Sequence, residues 1–100
     1  MQLQWRALAW SDLVSHVNYL SEQSSDAGQR FIDAVDITCT LIRNSPEIGE
    51  AFLLQPEQIH VRVWPIRGYR NYLIAYRVTE DAIEIVRLRH GASNWRYAPE

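Results

Sequence analysis

The chain contains no lysine, and it holds only one cysteine, four glycines and four prolines in 100 residues. The lone Cys39 excludes an internal disulfide, and its place in a helical pattern predicts a buried, small apolar side chain. The scarcity of glycine and proline, with 47% hydrophobic residues, excludes a disordered or low-complexity chain. We therefore expect residues 1–100 to form a single folded domain.

Long apolar runs are also missing. The longest, Tyr72 to Tyr76 and Ala51 to Leu54, fall far short of the ~20 residues that a membrane-spanning helix needs. The N-terminal residues lack the apolar segment and small-residue cleavage site of a secretory signal. We expect a cytoplasmic protein with no membrane partner.

Sites for metals and cofactors are not indicated either. His16, His60, His90 and Cys39 lie far apart in the sequence, without the spacing of metal ligands. No glycine-rich phosphate loop and no nucleophile elbow is present. We predict no metal site and no cofactor.

Charge is unevenly distributed along the chain. Residues 1–57 hold three arginines and eight acidic residues, whereas residues 58–100 hold seven arginines and four acidic residues. All ten basic residues are arginines, whose planar, forked guanidinium groups favour specific contacts over diffuse screening. The C-terminal part is thus expected to present a positive surface to an anionic partner, unless these arginines are simply solvated strand positions.

The N-terminal half has the pattern of a strand followed by two helices. Apolar residues alternate with polar ones over residues 3–9, which predicts a strand with one buried face. Ser11 is placed to cap a helix over about residues 11–22. Ser25 or Asp26 is placed to cap a second amphipathic helix, which ends at about residue 44.

The C-terminal half has the pattern of a sheet. After a loop region that extends through Pro56, alternation predicts strands over about residues 60–64, 72–78 and 83–90. The predicted order is β-α-α-β-β-β, an α+β fold in which a helical hairpin packs on an antiparallel sheet. The hairpin can cover only one sheet face. We expect Tyr72 and Tyr76 on one face of their strand, and Arg87 and Arg89 on one face of the last strand, leaving a mixed apolar and arginine-bearing surface for a partner.

Five segments, taken in order, resemble the ParE branch of the RelE/ParE toxin superfamily over about residues 3–94. They are Trp10-Ser-Asp-Leu13 with Val17-Asn-Tyr-Leu20, Asp26 to Val35, Ser45-Pro-Glu-Ile-Gly49, Val61 to Arg77, and Ile83 to Ala92. The resemblance implies a toxin of a type II toxin–antitoxin pair that inhibits DNA gyrase by binding, without chemistry of its own. It also implies a cognate antitoxin, ParD-like or of another class, whose disordered C-terminal segment folds over the toxin.

One departure affects the family's tail, which often reads His-Gly-Ala-Arg-Asp. Ser93 and Asn94 replace the Arg-Asp pair here, and Arg96 is the nearby substitute. We predict that the residues that contact partner or target are Arg67, Arg70, Tyr72, Tyr76, Arg87, Arg89, His90, Trp95 and Arg96.

The alternative function is that of the RelE branch, which cleaves messenger RNA on the ribosome. Such cleavage needs a general base, a general acid and cations around one phosphate. Arg87 and Arg89 share a strand face, but His90 points to the opposite face of an extended strand. We therefore favour a binding toxin with no catalytic residue. Direct DNA binding through the arginine-rich strands stays open, although no recognition-helix pattern supports it.

Overall fold

A computed structural model describes residues 1–91 of the chain. Its helices and strands are β1 Gln2–Trp5, α1 Ala7–Gln23, α2 Ala27–Asn44, β2 Glu50–Leu54, β3 Ile59–Ile66, β4 Tyr69–Val78 and β5 Ala82–His90. The five strands form one sheet in the order β1-β5-β4-β3-β2. The predicted α+β fold, with a helical hairpin packed on a sheet, is confirmed. Neither helix within residues 1–91 is long and apolar enough to cross a membrane.

The sheet differs from the expected one in two respects. It is mixed, because β1 pairs with β5 in parallel while the other neighbours are antiparallel. It also contains β2, in a segment expected to be a loop. Gly49 and Pro56 leave only a short run between them, and so short a run gives little periodicity from which to predict a strand.

Helix α1 begins at Ala7, four residues before the predicted cap at Ser11. The alternation over residues 3–9 fits a strand, but Ala7, Leu8 and Ala9 are also good helix formers. Ala9 and Leu13 lie four residues apart and are both buried in the core beneath the helices. Burial along a helical stripe therefore ends β1 at Trp5.

The helix-side core lies between the hairpin and the sheet. Phe31, Val35 and Ile42 of α2 pack there, together with apolar residues of β3, β4 and β5. Cys39 is 3% exposed, as predicted, and burial raises the pKa of its thiol to about 12. Each fully buried aliphatic or aromatic side chain of this core contributes roughly 1.5–3 kcal/mol to the free energy of unfolding.

The other sheet face has a second core, which the sequence did not predict. The side chains of Leu54, Val61, Val63, Leu73, Ala75 and Val86 are buried there, and Phe52 and Ile59 pack against them. The turn between β2 and β3 reaches across the face, since its Glu57 contacts Arg87 on β5 although β4 and β3 lie between these strands in the sheet. The expectation that this face is left uncovered is therefore wrong.

A change of register in β5 alters which residues face the helices. Ala75 pairs with Arg87 but Tyr76 pairs with Ile85, so Val86 is an extra residue in β5. Val86 joins the second core, and Leu88 joins the helix-side core with Ile85. Strict alternation along a strand would put Val86 and Leu88 on the same face, and this bulge separates them.

Helix α1 completes the edge of β5 where β1 ends. β1 pairs with β5 only over Ala82–Ile85. Beyond it, the Leu88 amide donates to Asp12 Oδ2 at 2.9 Å, and its carbonyl lies 2.8 Å from His16 Nε2. Two side chains one helical turn apart thus satisfy backbone groups that a neighbouring strand would otherwise pair.

Tyr76 is fully buried in the helix-side core, and its hydroxyl is hydrogen-bonded to the loop after α2. The hydroxyl donates to Pro46 O at 2.7 Å and accepts from the Gly49 amide at 2.8 Å. Burial raises the pKa of this phenol. A Cβ at residue 49 would lie 2.7 Å from the hydroxyl oxygen, so the loop requires glycine there.

We predict that Tyr76→Phe lowers the free energy of unfolding by about 1–3 kcal/mol, because Pro46 O and the Gly49 amide lose their buried partner. Urea denaturation measures the change. Tyr19→Phe is the matched control, since Tyr19 is 58% exposed and its variant should differ from the parent by less than about 0.5 kcal/mol. Equal stabilities for the two variants would contradict the proposed role of the hydroxyl.

We predict that Asp12→Ala lowers the free energy of unfolding by about 2–4 kcal/mol, because the Leu88 amide and the Arg87 guanidinium both donate to the carboxylate that this change removes. Hydrogen exchange at the Leu88 amide should accelerate in parallel with the loss of stability. Asp36→Ala, an exposed position on α2, controls for removal of a carboxylate from a helix. An unchanged exchange rate at Leu88 would show that Asp12 does not protect this edge.

Candidate functional site

Arg87 of β5 is held by two acidic side chains. Its Nε and Nη2 donate to Asp12 Oδ2 and Oδ1 at 2.8 and 2.9 Å, the forked geometry of a strong arginine–carboxylate pair. Its Nη1 donates to Glu57 Oε2 at 2.8 Å. The hydrogen bonds to Asp12 raise the pKa of Arg87 further, so its charge is permanent.

Arg89 is held from the same side by the turn that follows β2. Its Nη1 donates to Gln55 O at 2.8 Å, and its Nη2 donates to Glu57 Oε2. Burial opposes the charge of Glu57, but the hydrogen bond from its own backbone amide and the guanidinium groups of Arg89 and Arg87 together outweigh it and hold the pKa of this carboxyl below its ordinary value. Glu57 is therefore ionised at neutral pH and bridges both arginines.

This arrangement, which we call the clamp, consists of Asp12, Glu57, Arg87 and Arg89. The side chains of Arg87 and Arg89 are only 20% and 13% exposed. We expected them to present free cations to a partner; instead the protein's own carboxylates bind them. A cavity of about 310 Å³ does adjoin Arg87, and its lining includes Leu8 and Val86.

His90 and Tyr72 lie on the helix side of the sheet. Their ring centroids are 4.7 Å apart, and Tyr72 also contacts His16 and Phe31 edge to face. Arg89, in contrast, binds the turn on the other side. As predicted, His90 and the two β5 arginines are on opposite sides of the sheet, so they cannot surround one phosphodiester.

Arg67 and Arg70 flank the turn between β3 and β4, and both are exposed. They border a groove of about 230 Å³, which we call the arginine-rimmed groove. Its other lining residues are Ile37, Thr38, Leu41, Trp64, Pro65, Ile66 and Gly68. It combines an apolar floor with positive charge, the combination that we expected of the β5 arginines.

A second apolar groove, the hairpin groove, lies on the outer side of the helices. It has a volume of about 260 Å³ and is lined by Trp10, Leu13, Val14, Val17, Asn18 and Ile32. Trp10 is 55% exposed and Val14 is 43% exposed, so large apolar side chains are presented to solvent. Such surfaces commonly take part in protein association.

The predicted contact residues are thus dispersed. Arg67 and Arg70 lie together at an exposed turn, Arg87 and Arg89 lie in the clamp, and Tyr72 and His90 are half-buried under the hairpin. Tyr76 has no exposed surface, so it cannot touch a partner in this fold. Trp95 and Arg96, like Ser93 and Asn94, lie outside the described residues. That each of the exposed residues contacts a partner or target stays a prediction.

Sequence reasoning missed Asp12, Glu57, Ile37 and Leu41. Asp12 and Glu57 are far from Arg87 in the chain, and no local pattern links them. The amphipathic pattern of α2 places Leu41 on the apolar stripe of the helix, yet Leu41 is 41% exposed, and Ile37 is 51% exposed. Their spacing of four residues on one helix face is the signal that indicates a second apolar stripe.

Comparisons with known proteins agree with this fold. The family model for the ParE toxin of the parDE type II toxin–antitoxin system matches residues 3–95. Toxin ParE2 from each of two strains of Mycobacterium tuberculosis, CDC 1551 / Oshkosh and H37Rv, is 33% identical over 87 residues, which span 83% of this chain and 74% of the relative.

A solved structure has a similar fold. A chain of the chromosomal ParDE TA system from P. aeruginosa superposes with a TM-score of 0.71 at 16% identity, over 90% of this chain and 95% of that chain. At this identity the likeness concerns the fold alone. Because the family model matches residues 3–95, the chain belongs to the ParE toxin family of type II toxin–antitoxin systems.

Proposed function

We propose that this toxin acts in the cytoplasm by binding DNA gyrase, and that a cognate antitoxin neutralises it by covering part of its surface. Gyrase is the target that the family resemblance implies. The observation that carries a binding mechanism is the separation of the β5 arginines from His90 and Tyr72 by the sheet. A nuclease of the RelE kind needs such groups around one phosphate.

The clamp supports the same conclusion. A cation that stabilises a phosphorane must be directed at the reacting phosphate. Arg87 instead directs Nε and Nη2 at Asp12 and Nη1 at Glu57, while Arg89 directs Nη2 at Glu57. Replacing these carboxylates by a phosphate would leave two partly buried carboxylates without their cations, which is costly.

Exposed apolar surface supports control by a protein partner. Leu8, Trp10, Ile37 and Leu41 are 58, 55, 51 and 41% exposed, although each is large and apolar. Surfaces of this kind are generally covered when a partner is bound. An antitoxin segment that folds on the toxin would bury such residues and block access to the target.

Expression of the toxin without antitoxin tests the mechanism. We expect an SOS response and gyrase-linked DNA breaks, while transcripts stay intact. Purified toxin should inhibit supercoiling by purified gyrase in a concentration-dependent manner. The frame carrying an early stop codon controls for effects of the transcript.

Truncated transcripts with prompt arrest of translation, and unaffected supercoiling, would contradict the proposal and favour the ribosome-dependent nuclease. Intact transcripts together with intact DNA would exclude both activities for this chain.

A further inference from the structure

We propose that the arginine-rimmed groove is the docking site for an acidic amphipathic segment of the antitoxin. The inference rests on the proposed function for the identity of the partner. It adds the place at which the antitoxin binds, the side chains that hold it, and the chemistry of the segment that fits.

The floor of the groove suits apolar anchor residues. Ile37 and Leu41 stand one turn apart on α2, and Trp64 and Pro65 of β3 face the same groove. Its volume of about 230 Å³ is smaller than the ~300–1,000 Å³ of typical small-molecule pockets. A protein segment that inserts one or two apolar side chains fits it better than a metabolite does.

The rim of the groove carries positive charge that is not neutralised within residues 1–91. Arg6, Arg30, Arg77, Arg87 and Arg89 each form an ion pair with an acidic side chain. Arg67 and Arg70 are exposed and form no such pair with the residues described. Their guanidinium groups are therefore available to the carboxylates of a partner.

The position of Arg67 is fixed by the fold. Its backbone amide donates to Thr38 Oγ1 of α2 at 3.0 Å, and Thr38 is 1% exposed. Gly68 follows with a φ of +82°, a backbone conformation that residues with a side chain rarely adopt and that makes the turn tight. The turn is thus tied to α2, so its two arginines lie beside Ile37 and Leu41 before any partner arrives, which lowers the entropy cost of binding.

Charge distinguishes this groove from the hairpin groove. The hairpin groove has no charged side chain among its lining residues, which are apolar apart from Asn18. The arginine-rimmed groove is lined by Arg67 and Arg70, whose positive charges attract an acidic segment. Charge complementarity therefore assigns the acidic segment to the arginine-rimmed groove.

Affinity measurements with the antitoxin test the rim. The probe is the protein encoded beside this toxin, titrated against the wild-type toxin, Arg67→Gln and Arg70→Gln. Each variant should raise Kd by about tenfold, because each removes a charge-assisted hydrogen bond, and the salt dependence of Kd should weaken. Arg43→Gln is the matched control: it removes an exposed arginine of α2 that does not line the groove, and Kd should stay within about twofold.

Ile37→Ser tests the floor, and Ile32→Ser in the hairpin groove is its matched control. Both side chains are exposed on α2, at 51% and 38%, so both variants should fold. Ile37→Ser should raise Kd by about tenfold or more, and Ile32→Ser should change it much less.

The outcomes separate the two proposals. If the wild-type toxin binds the neighbouring protein but Arg67→Gln, Arg70→Gln and Ile37→Ser bind it equally well, the docking site is wrong and the proposed function stands. If the wild-type toxin does not bind that protein, the docking site and the proposed neutralisation by an antitoxin are both overturned, whereas gyrase binding is decided by the supercoiling assay. If Ile37→Ser abolishes self-association of the toxin and leaves antitoxin affinity unchanged, the groove belongs to a second copy, which also overturns the docking site.

Discussion

The contact of Glu57 with Arg87 and Arg89 is the interaction on which the second half of the fold depends. It joins the turn after β2 to β5, although β4 and β3 lie between β5 and β2 in the sheet, and so holds this turn across the second core. Asp12 extends the same network to α1 through Arg87 and the Leu88 amide. Because these charges are partly buried, removing one partner lowers the free energy of unfolding more than replacing the whole ion pair by apolar side chains would. The network therefore constrains which conformation forms as much as it stabilises it.

This constraint changes how the arginines of the chain are interpreted. The arginines of the C-terminal half were expected to present a positive surface to an anionic partner, unless they were simply solvated strand positions. The fold divides these arginines, because Arg87 and Arg89 are bound internally, Arg77 pairs with Glu84, and Arg62 donates to backbone carbonyls. Within residues 1–91, Arg67 and Arg70 combine exposure, the absence of an acidic partner and an adjacent apolar groove. A net charge of −2 is thus compatible with a local site for an acidic partner. Electrostatic recognition depends on which cations remain unpaired, and not on their number in the sequence.

Local pattern predicted most of the fold and little of the site. Helical periodicity located α2, and alternation located β3, β4 and β5. The start of α1 at Ala7 was not predicted, because Ala7 to Ala9 fit both a strand and a helix. Strand β2 was not predicted, because so short a run shows little periodicity. The bulge at Val86 shifted Leu88 to the helix side, which a period of two residues cannot reveal.

Tyr76 was placed on a partner-facing surface because both faces of β4 are apolar, and only the three-dimensional structure shows which face the helices cover. Contacts such as Arg87 with Asp12 join residues 75 positions apart, and no sequence pattern specifies them.

The central claim is that the β5 arginines act within the fold, and a double-mutant cycle between Glu57 and Arg89 tests it most directly. The free energy of unfolding is measured for the wild type, Glu57→Gln, Arg89→Gln and the double variant. We predict that the double variant loses less stability than the sum of the single losses, by about 1–3 kcal/mol, because each single change breaks the same partly buried ion pair and the double variant loses it only once. Additivity within about 0.5 kcal/mol would mean that the two charges are not coupled, and would contradict the account.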